Sequence, residues 1–221
     1  EHRERLRELV VQADILIESG AAGGLAKLDL GYEQLRKINP TLVMASITGF
    51  GQWGPHSELA YNDLVVFAMC GLMSISGEPD RPPCAPPETQ AYYFGSLVAA
   101  LGIVAALHRR ELTGTGDWID VSMQEALATQ EHMIRLYAND KEVHIRAGSQ
   151  HQHVAPARIF PCRDGYVYLY VSRQHWQRFL EIWPDHPKKF DAPEYLNNLF
   201  RRTHADIITP AVNDFTRQYS M

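Results

Sequence analysis

The sequence reads Leu42-Val-Met-Ala-Ser-Ile47 and then Thr48-Gly-Phe-Gly51, an apolar run that closes on a glycine-rich turn. A continuous apolar run bounded by a turn is typical of a strand buried on both faces of a parallel sheet. Upstream, Ala13-Asp-Ile-Leu-Ile-Glu18 has the same character, and a helix is predicted between the two runs over residues 25–38. Parallel neighbouring strands need such a crossover. The N-terminal part is therefore predicted to be α/β with a parallel sheet.

The remaining elements follow from hydrophobic spacing and turn residues. Further helices are predicted over residues 1–12, 63–72, 91–110 and 123–139, and a further strand over 118–122. From residue 140 the character changes. A β-hairpin is predicted over residues 158–171, turning at Asp164-Gly165, and helices over 174–183, 194–202 and 209–218.

Composition and charge exclude several classes of protein. The length of 221 residues corresponds to about one and a half domains, and 45% hydrophobic with 21% charged residues is ordinary for a globular protein. A net charge of −5 offers no basic surface for nucleic acid or an anionic membrane. The longest apolar run, residues 97–107, is too short to span a bilayer. The cysteines form no CxxC pair, which favours a reducing, cytoplasmic setting.

Two stretches are candidates for chemistry on residue types alone. The loop Gly20-Ala-Ala-Gly-Gly24 precedes a helix, where backbone N–H groups can hold a phosphate. It matches neither the dinucleotide fingerprint nor the P-loop, so a plain tight turn is the better interpretation. His151 and His153, with His144 nearby, could ligate a metal. They lack a supporting carboxylate or cysteine, so a solvated loop is favoured and no metal is predicted.

Several stretches nevertheless occur in a recognisable order from about residue 5 to about residue 185. They include Ala13–Glu18, Leu30–Leu35, Ser46–Gly51, Gly71–Pro79, Ala99–Ile103, Thr113–Gly116, Ile119–Ser122 and Phe160–Gly165. No single stretch is diagnostic, but together they resemble the family III CoA-transferases. That group contains formyl-CoA transferase, carnitine CoA-transferase and α-methylacyl-CoA racemase.

The resemblance implies a fold and an assembly. Part of a large, Rossmann-like, CoA-binding domain with crossover helices is expected over residues 1–140, and an incomplete, smaller α+β domain over 141–221. Family members form interlocked rings of two chains, so a homodimer, or pairing with a second CoA-transferase module, is expected. The chain has no initiator Met and opens inside a helical pattern. We therefore expect it to be the middle portion of a longer protein.

The resemblance also implies binding positions for coenzyme A or an acyl-CoA, with a small carboxylic acid as second substrate. These positions are Ser19, Gly20, Gly23, Lys27 and Tyr61. Ser19 and Gly20 depart from the usual loop pattern, whereas Gly23 matches it. Lys27 stands where formyl-CoA transferase carries a cation near the CoA phosphates, and Tyr61 matches a tyrosine near its acyl site.

The catalytic position is the main departure. Family transferases attack the acyl-CoA with an aspartate, but counting back from Gly102 places Tyr92 at that position. Racemases add a histidine, and Asn62 stands in its place. Two hypotheses follow: a degenerate module or pseudoenzyme that still binds CoA, which we favour, or an active acyl-CoA enzyme that uses Tyr92 or Glu88.

Overall fold

The structure, a computed structural model, describes residues 2–129, 139, 141, 143–151 and 153–221. The chain divides into two compact units. The large unit comprises Glu1–Ser76 and Pro83–His144, and the small unit comprises Gly77–Pro82 and Ile145–Met221. The domain boundary at residue 140 stays a prediction.

A parallel three-stranded sheet forms the centre of the large unit. Its order is β1 (Ile15–Glu18), β2 (Val43–Thr48) and β3 (Asp117–Ser122), with Ile15 opposite Val43 and Val43 opposite Asp117. The predicted α/β class with a parallel sheet is confirmed. β2 is buried along nearly its whole length because it is the central strand. The expectation that β1 is buried is wrong, since this edge strand alternates between exposed and half-buried residues.

The crossover between β1 and β2 contains two helices instead of the single helix predicted. They are α2 (Gly24–Lys27) and α3 (Tyr32–Ile38), interrupted where Asp29 adopts a left-handed conformation with φ 62°. The preceding helix, α1 (His2–Val10), packs with this crossover and with β2 in one core cluster. Asn39 ties α1 to the crossover, because its amide donates to the carbonyls of Val10 and Ala13 at 3.0 and 2.9 Å.

Four further helices of the large unit lie within the described residues: α4 (Asp63–Met69), α5 (Leu72–Ile75), α6 (Gln90–Thr113) and α7 (Met123–Ala128). The predicted continuation of α7 to residue 139 lies largely outside the described residues. α6 packs on β2, β3, α4 and α7 through a stripe of small and branched residues, namely Ala91, Gly95, Ala99, Ile103 and Ala106.

At 24 residues, α6 is longer than predicted, and it is long and apolar enough to cross a membrane by length and composition. Helices at the core of soluble proteins pass the same test. Its outer face exposes large apolar side chains, with Leu97, Leu101, Val104 and Leu112 all more than half exposed.

The small unit is built on an antiparallel hairpin, as predicted. β4 (Ala157–Pro161) pairs with β5 (Tyr166–Tyr170), and Ala157 lies opposite Tyr170. Three helices follow, α8 (Trp176–Glu181), α9 (Asn198–Thr203) and α10 (Ala205–Thr216), with short 3₁₀ turns between them. These elements enclose an aromatic core.

Arg201 is fully buried in that core. Its guanidinium donates to the carbonyls of Ala155 and Val171 at 2.5 and 2.9 Å and also to the carbonyl of Tyr195, and it lies over the ring of Trp176. Burial lowers the pKa of Arg201 to about 10. The hydrogen bonds offset the cost of burying this charge and join the hairpin to the helical part.

Candidate functional site

A cavity of about 730 Å³ lies among loops of the large unit that follow β1 and β2. In open α/β sheets, ligands bind outside the carboxyl ends of the strands. We call this cavity the loop cavity, and its lining residues are Ser19, Gly20, Ala21, Ala22, Lys27, Ser57, Glu58, Leu59, Ala60 and Tyr61. The structure thus brings together Ser19, Gly20, Lys27 and Tyr61 from two separate segments of the sequence.

Gly23 belongs to the same loop but does not line the cavity. Its φ of 69° is left-handed, a conformation that favours glycine, and it directly precedes α2. The Gly23 N–H donates to Oε1 of Gln52 at 2.8 Å, and the Gly24 N–H donates to the carbonyl of Ala21 at 2.8 Å. Both groups thus have partners inside the protein, and the assignment of Gly23 to coenzyme A binding stays a prediction.

A second cavity of about 460 Å³ adjoins the first, since Ser19 and Tyr61 line both. We call it the tyrosine cavity. Its lining residues are Ile17, Ser19, Ile47, Tyr61, Tyr92, Ser96 and Met123. The described residues that line it include hydroxyl groups and apolar side chains but no carboxylate. Such a surface can donate hydrogen bonds to an oxygen atom, whereas nucleophilic attack by a carboxylate needs a side chain that this lining lacks.

Tyr61 is held against the turn that follows β2. A Cβ added at Gly49 would lie 2.5 Å from Cγ of Tyr61, so only a glycine leaves room for the ring there. The Tyr61 hydroxyl lies 3.5 Å from the carbonyl of Ser19. Burial raises the pKa of Tyr61, and the nearby Tyr92 phenol adds to the rise, although a backbone hydrogen bond at Gly49 opposes it. Tyr61 is therefore a neutral hydrogen-bond donor near pH 7.

Tyr92 lies in the first turn of α6, and its side chain is 39% exposed. The Asp63 carboxylate accepts the N–H groups of Ala91 and Tyr92 at 2.7 and 3.2 Å, which satisfies donors that the first helical turn leaves without partners. Asn62, one residue earlier, caps α4 by accepting the N–H of Val65 at 2.9 Å. Two adjacent polar residues thus fix the starts of two helices.

The other candidates lie elsewhere. Glu88 is exposed, has a φ of 64°, and lines neither cavity. In the small unit, the rings of His151 and His153 are 6.1 Å apart. Across the ranges that the structure describes, no group of three or more His, Cys, Asp or Glu side chains is arranged to hold a metal ion.

Sequence reasoning missed Gln52, Asp63 and Asp120. The backbone N–H of Gln52 lies 3.0 and 3.1 Å from the two carboxylate oxygens of Asp120, so the loop after β2 is tied to β3. Their partners are 28 to 68 residues away along the chain, and local patterns carry no signal for such contacts. Only the cap of α4, in which Asn62 accepts the N–H of Val65, has a local sequence pattern that could have predicted it.

Comparisons with known proteins identify a family and several relatives of this chain. The model of the CoA-transferase family III matches residues 1–221. A succinate–glutarate CoA-transferase from Agrobacterium fabrum is 38% identical over 170 residues, covering 76% of this chain and 42% of the relative. A succinyl-CoA:mesaconate CoA-transferase from Haloarcula hispanica is 34% identical over 202 residues, covering 88% and 50%.

The solved structures agree with the sequence matches. A CAIB/BAIF family protein from Brucella suis superposes with a TM-score of 0.78 at 30% identity, covering 99% of this chain and 58% of that one. The chain spans about half the length of the curated relatives it matches. The parallel sheet, the match along the whole chain and the similarity to solved structures show together that this chain belongs to the CoA-transferase family III.

Proposed function

We propose that this chain is a CoA-transferase family III module that binds coenzyme A or an acyl-CoA but lacks the aspartyl nucleophile. The observation that carries the proposal is the tyrosine cavity. Tyr92 stands there at the position where the resemblance places the aspartate, and the described lining residues include no carboxylate. Acyl transfer between acids through an anhydride needs a carboxylate, which serves as nucleophile and then as leaving group. A phenol, with an ordinary pKa of about 10, does not replace it.

The loop cavity supports the coenzyme A part of the proposal. Its volume of about 730 Å³ lies within the range of roughly 300–1,000 Å³ that is usual for ligand sites. Lys27 supplies a cation in its lining, which suits a phosphorylated ligand, although an ammonium gives a point charge and not the paired contacts of an arginine. The named relatives act on succinate, glutarate or mesaconate, so we infer that a small carboxylic acid is the second substrate class.

The alternative is an active enzyme that uses Tyr92 or Glu88. The adjacency of Tyr61 and Tyr92 in one cavity favours Tyr92 as a hydrogen-bond donor to a thioester oxygen. The Glu88 version has less support, because Glu88 is exposed and lines neither cavity. Racemisation also has little support, because Asn62 is a helix cap and an amide is not a proton-transfer base.

The setting and assembly belong to the same proposal. We infer a cytoplasmic protein, which is supported by the absence of a disulfide at Cys70, Cys84 and Cys162 in the described part of the chain. We also infer a homodimer or a complex with a second CoA-transferase module, without nucleic-acid or membrane partners. The exposed apolar face of α6 supports a partner subunit or module that covers it. Light scattering on the full-length protein tests this assembly by measuring its mass.

Isothermal titration with coenzyme A tests the proposed ligand. The full-length protein is expected to bind coenzyme A, and Lys27→Ala is expected to weaken binding about fivefold at low salt and less at high salt, because the lost interaction is a screened one. Lys37→Ala, which removes a lysine exposed at the end of α3, is the matched control and should leave the affinity unchanged. Absence of binding by the unmodified protein contradicts the proposal.

A further inference from the structure

The side chain of Gln52 joins two loops of the large unit. Its Oε1 accepts the N–H of Gly23 at 2.8 Å, a contact between residues 29 apart in the sequence. Gly23 lies in the loop after β1, and Gln52 lies in the loop after β2. The hydrogen bond therefore fixes the glycine turn relative to the neighbouring strand's loop.

Gln52 is itself held in place by the third strand. Its backbone N–H points at the carboxylate of Asp120, 3.0 and 3.1 Å from the two oxygens, and Asp120 lies in β3 opposite Ser46 of β2. Hydrogen bonds to a charged acceptor are stronger than neutral ones. A connected path thus runs from β3 through the backbone and side chain of Gln52 to the glycine turn.

The amide nitrogen of Gln52 gives a second, independent observation. Nε2 is buried, and it has no hydrogen-bond partner within the described part of the chain. A buried donor without a hydrogen-bond partner lowers stability, so packing alone does not explain why position 52 is a glutamine. Its carbonyl oxygen, by contrast, has a partner with good geometry at Gly23. Gln52 therefore accepts a hydrogen bond from the turn, while its own amide nitrogen has no partner within the described residues.

We propose that Gln52 is a positioning residue of the loop cavity, which holds the Gly23 turn in the conformation that receives coenzyme A. The turn connects residues 19–22 to α2, and both sides contribute lining, since α2 carries Lys27. Gln52 does not line the loop cavity and acts through the turn. This inference rests on the proposed function, because it takes coenzyme A as the ligand of that cavity.

The test uses the full-length protein with Gln52→Met, which keeps the side-chain length and removes the acceptor. Gln52→Glu keeps an acceptor oxygen for the Gly23 N–H, and Gln12→Met makes the same chemical change at an exposed position. Two quantities are measured. The first is the amide hydrogen exchange of Gly23 and its neighbours in the absence of ligand. The second is the Kd of coenzyme A at 0.5 M salt, which screens the repulsion between the introduced glutamate and the negatively charged coenzyme A.

Gln52→Met is expected to accelerate exchange at Gly23 at least tenfold and to raise the Kd about tenfold. Gln52→Glu is expected to stay within about threefold of the unmodified protein on both measures, and Gln12→Met is expected to change neither. Unchanged exchange at Gly23 in Gln52→Met overturns the inference, whether or not coenzyme A binds. Faster exchange with an unchanged Kd overturns the positioning role while the proposed function stands. If the unmodified protein binds no coenzyme A, the proposed function fails and the role assigned to Gln52 fails with it.

Discussion

The carboxylate of Asp63 accepts the backbone N–H of Ala91 at 2.7 Å, so the first residue of α4 caps the first turn of α6. The same oxygen lies 3.2 Å from the N–H of Tyr92. Because an anion is favourable at a helix N-terminus, this contact stabilises α6 by charge as well as by hydrogen bonding. It also fixes the backbone that carries Tyr92 beside the tyrosine cavity.

Replacement of Asp63 by alanine is expected to destabilise the large unit by about 1 kcal/mol, the usual cost of losing a helix cap. The free energy of unfolding is measured in urea by far-ultraviolet circular dichroism. Asp63→Asn keeps the acceptor oxygen without the charge and should retain more than half of the stabilisation. An Asp63→Ala protein as stable as the unmodified one would show that the cap contributes nothing.

Gly49→Ala is expected to displace the ring of Tyr61, because the added methyl would lie 2.5 Å from its Cγ. Overpacking of this kind costs about 1–3 kcal/mol, and the affinity for coenzyme A should fall with it. Gly24→Ala is the matched control for stability alone, since an added Cβ there meets nothing within 4 Å. Equal unfolding free energies for the two variants would exclude a close contact between Gly49 and Tyr61.

Arg201→Met is expected to destabilise the small unit by about 3 kcal/mol or more, because it leaves buried carbonyl groups without donors. The carbonyls of Ala155 and Val171 lose their partner in this variant. Arg202→Met changes the next residue, which is exposed, and is expected to cost less than about 0.5 kcal/mol. Urea unfolding followed by tryptophan fluorescence compares the two, and similar losses would contradict the role of Arg201.

His186 is expected to make the small unit more stable at acidic pH than at alkaline pH. Burial opposes its protonation, but hydrogen bonds to Asp191 at 3.0 Å and to the Trp183 carbonyl at 2.6 Å outweigh this and raise the pKa of His186. A raised pKa in the folded state means that this stabilisation is complete below the unfolded pKa of about 6.5 and is lost as the pH rises through the folded value.

An NMR titration of the His186 ring checks this prediction. Asp191→Asn should lower the pKa of His186 relative to the unmodified protein, whereas Asp185→Asn, at an exposed neighbouring position, should change it little. The stability difference between the unmodified protein and Asp191→Asn should be larger at about pH 5.5 than at about pH 8.5. Equal titration curves for the unmodified protein and Asp191→Asn would contradict the coupling.

Local sequence predicted the parts of the fold that local physics determines. Apolar runs bounded by glycine identified β2, and Asp164-Gly165 identified the turn of the hairpin that the structure contains. The break in the β1–β2 crossover escaped prediction because it depends on Asp29 in a left-handed conformation, which the hydrophobic pattern does not encode. The exposure of β1 was not predicted because it depends on the edge position of β1, which follows from the strand order and not from the residues of the strand itself.

Only part of the candidate site could likewise be predicted from the sequence. The resemblance assigned Ser19, Lys27 and Tyr61, and the structure brings them to one cavity, but their roles stay predictions. The contacts of Gln52 and Asp63 cross 28 to 68 residues of sequence and depend on how the loops meet in three dimensions. No periodicity or motif carries that information.

Tyr92→Asp is the informative companion variant for the central claim. Because Tyr92 is 39% exposed in the first turn of α6, an aspartate there should be accommodated with a stability change below about 1 kcal/mol. An unfolded Tyr92→Asp protein would mean that Tyr92 is a core residue and that the catalytic position is misplaced.

Trapping of an acyl-enzyme is the most direct test of the missing nucleophile. The full-length protein is incubated with radiolabelled succinyl-CoA, the thioester named for one relative, separated from unreacted thioester by gel filtration, and then treated with hydroxylamine. The account predicts that coenzyme A binds but that no succinyl hydroxamate forms, while an active family III transferase run in parallel yields one. A stoichiometric, hydroxylamine-sensitive succinyl label that depends on Tyr92 or Glu88 would contradict it.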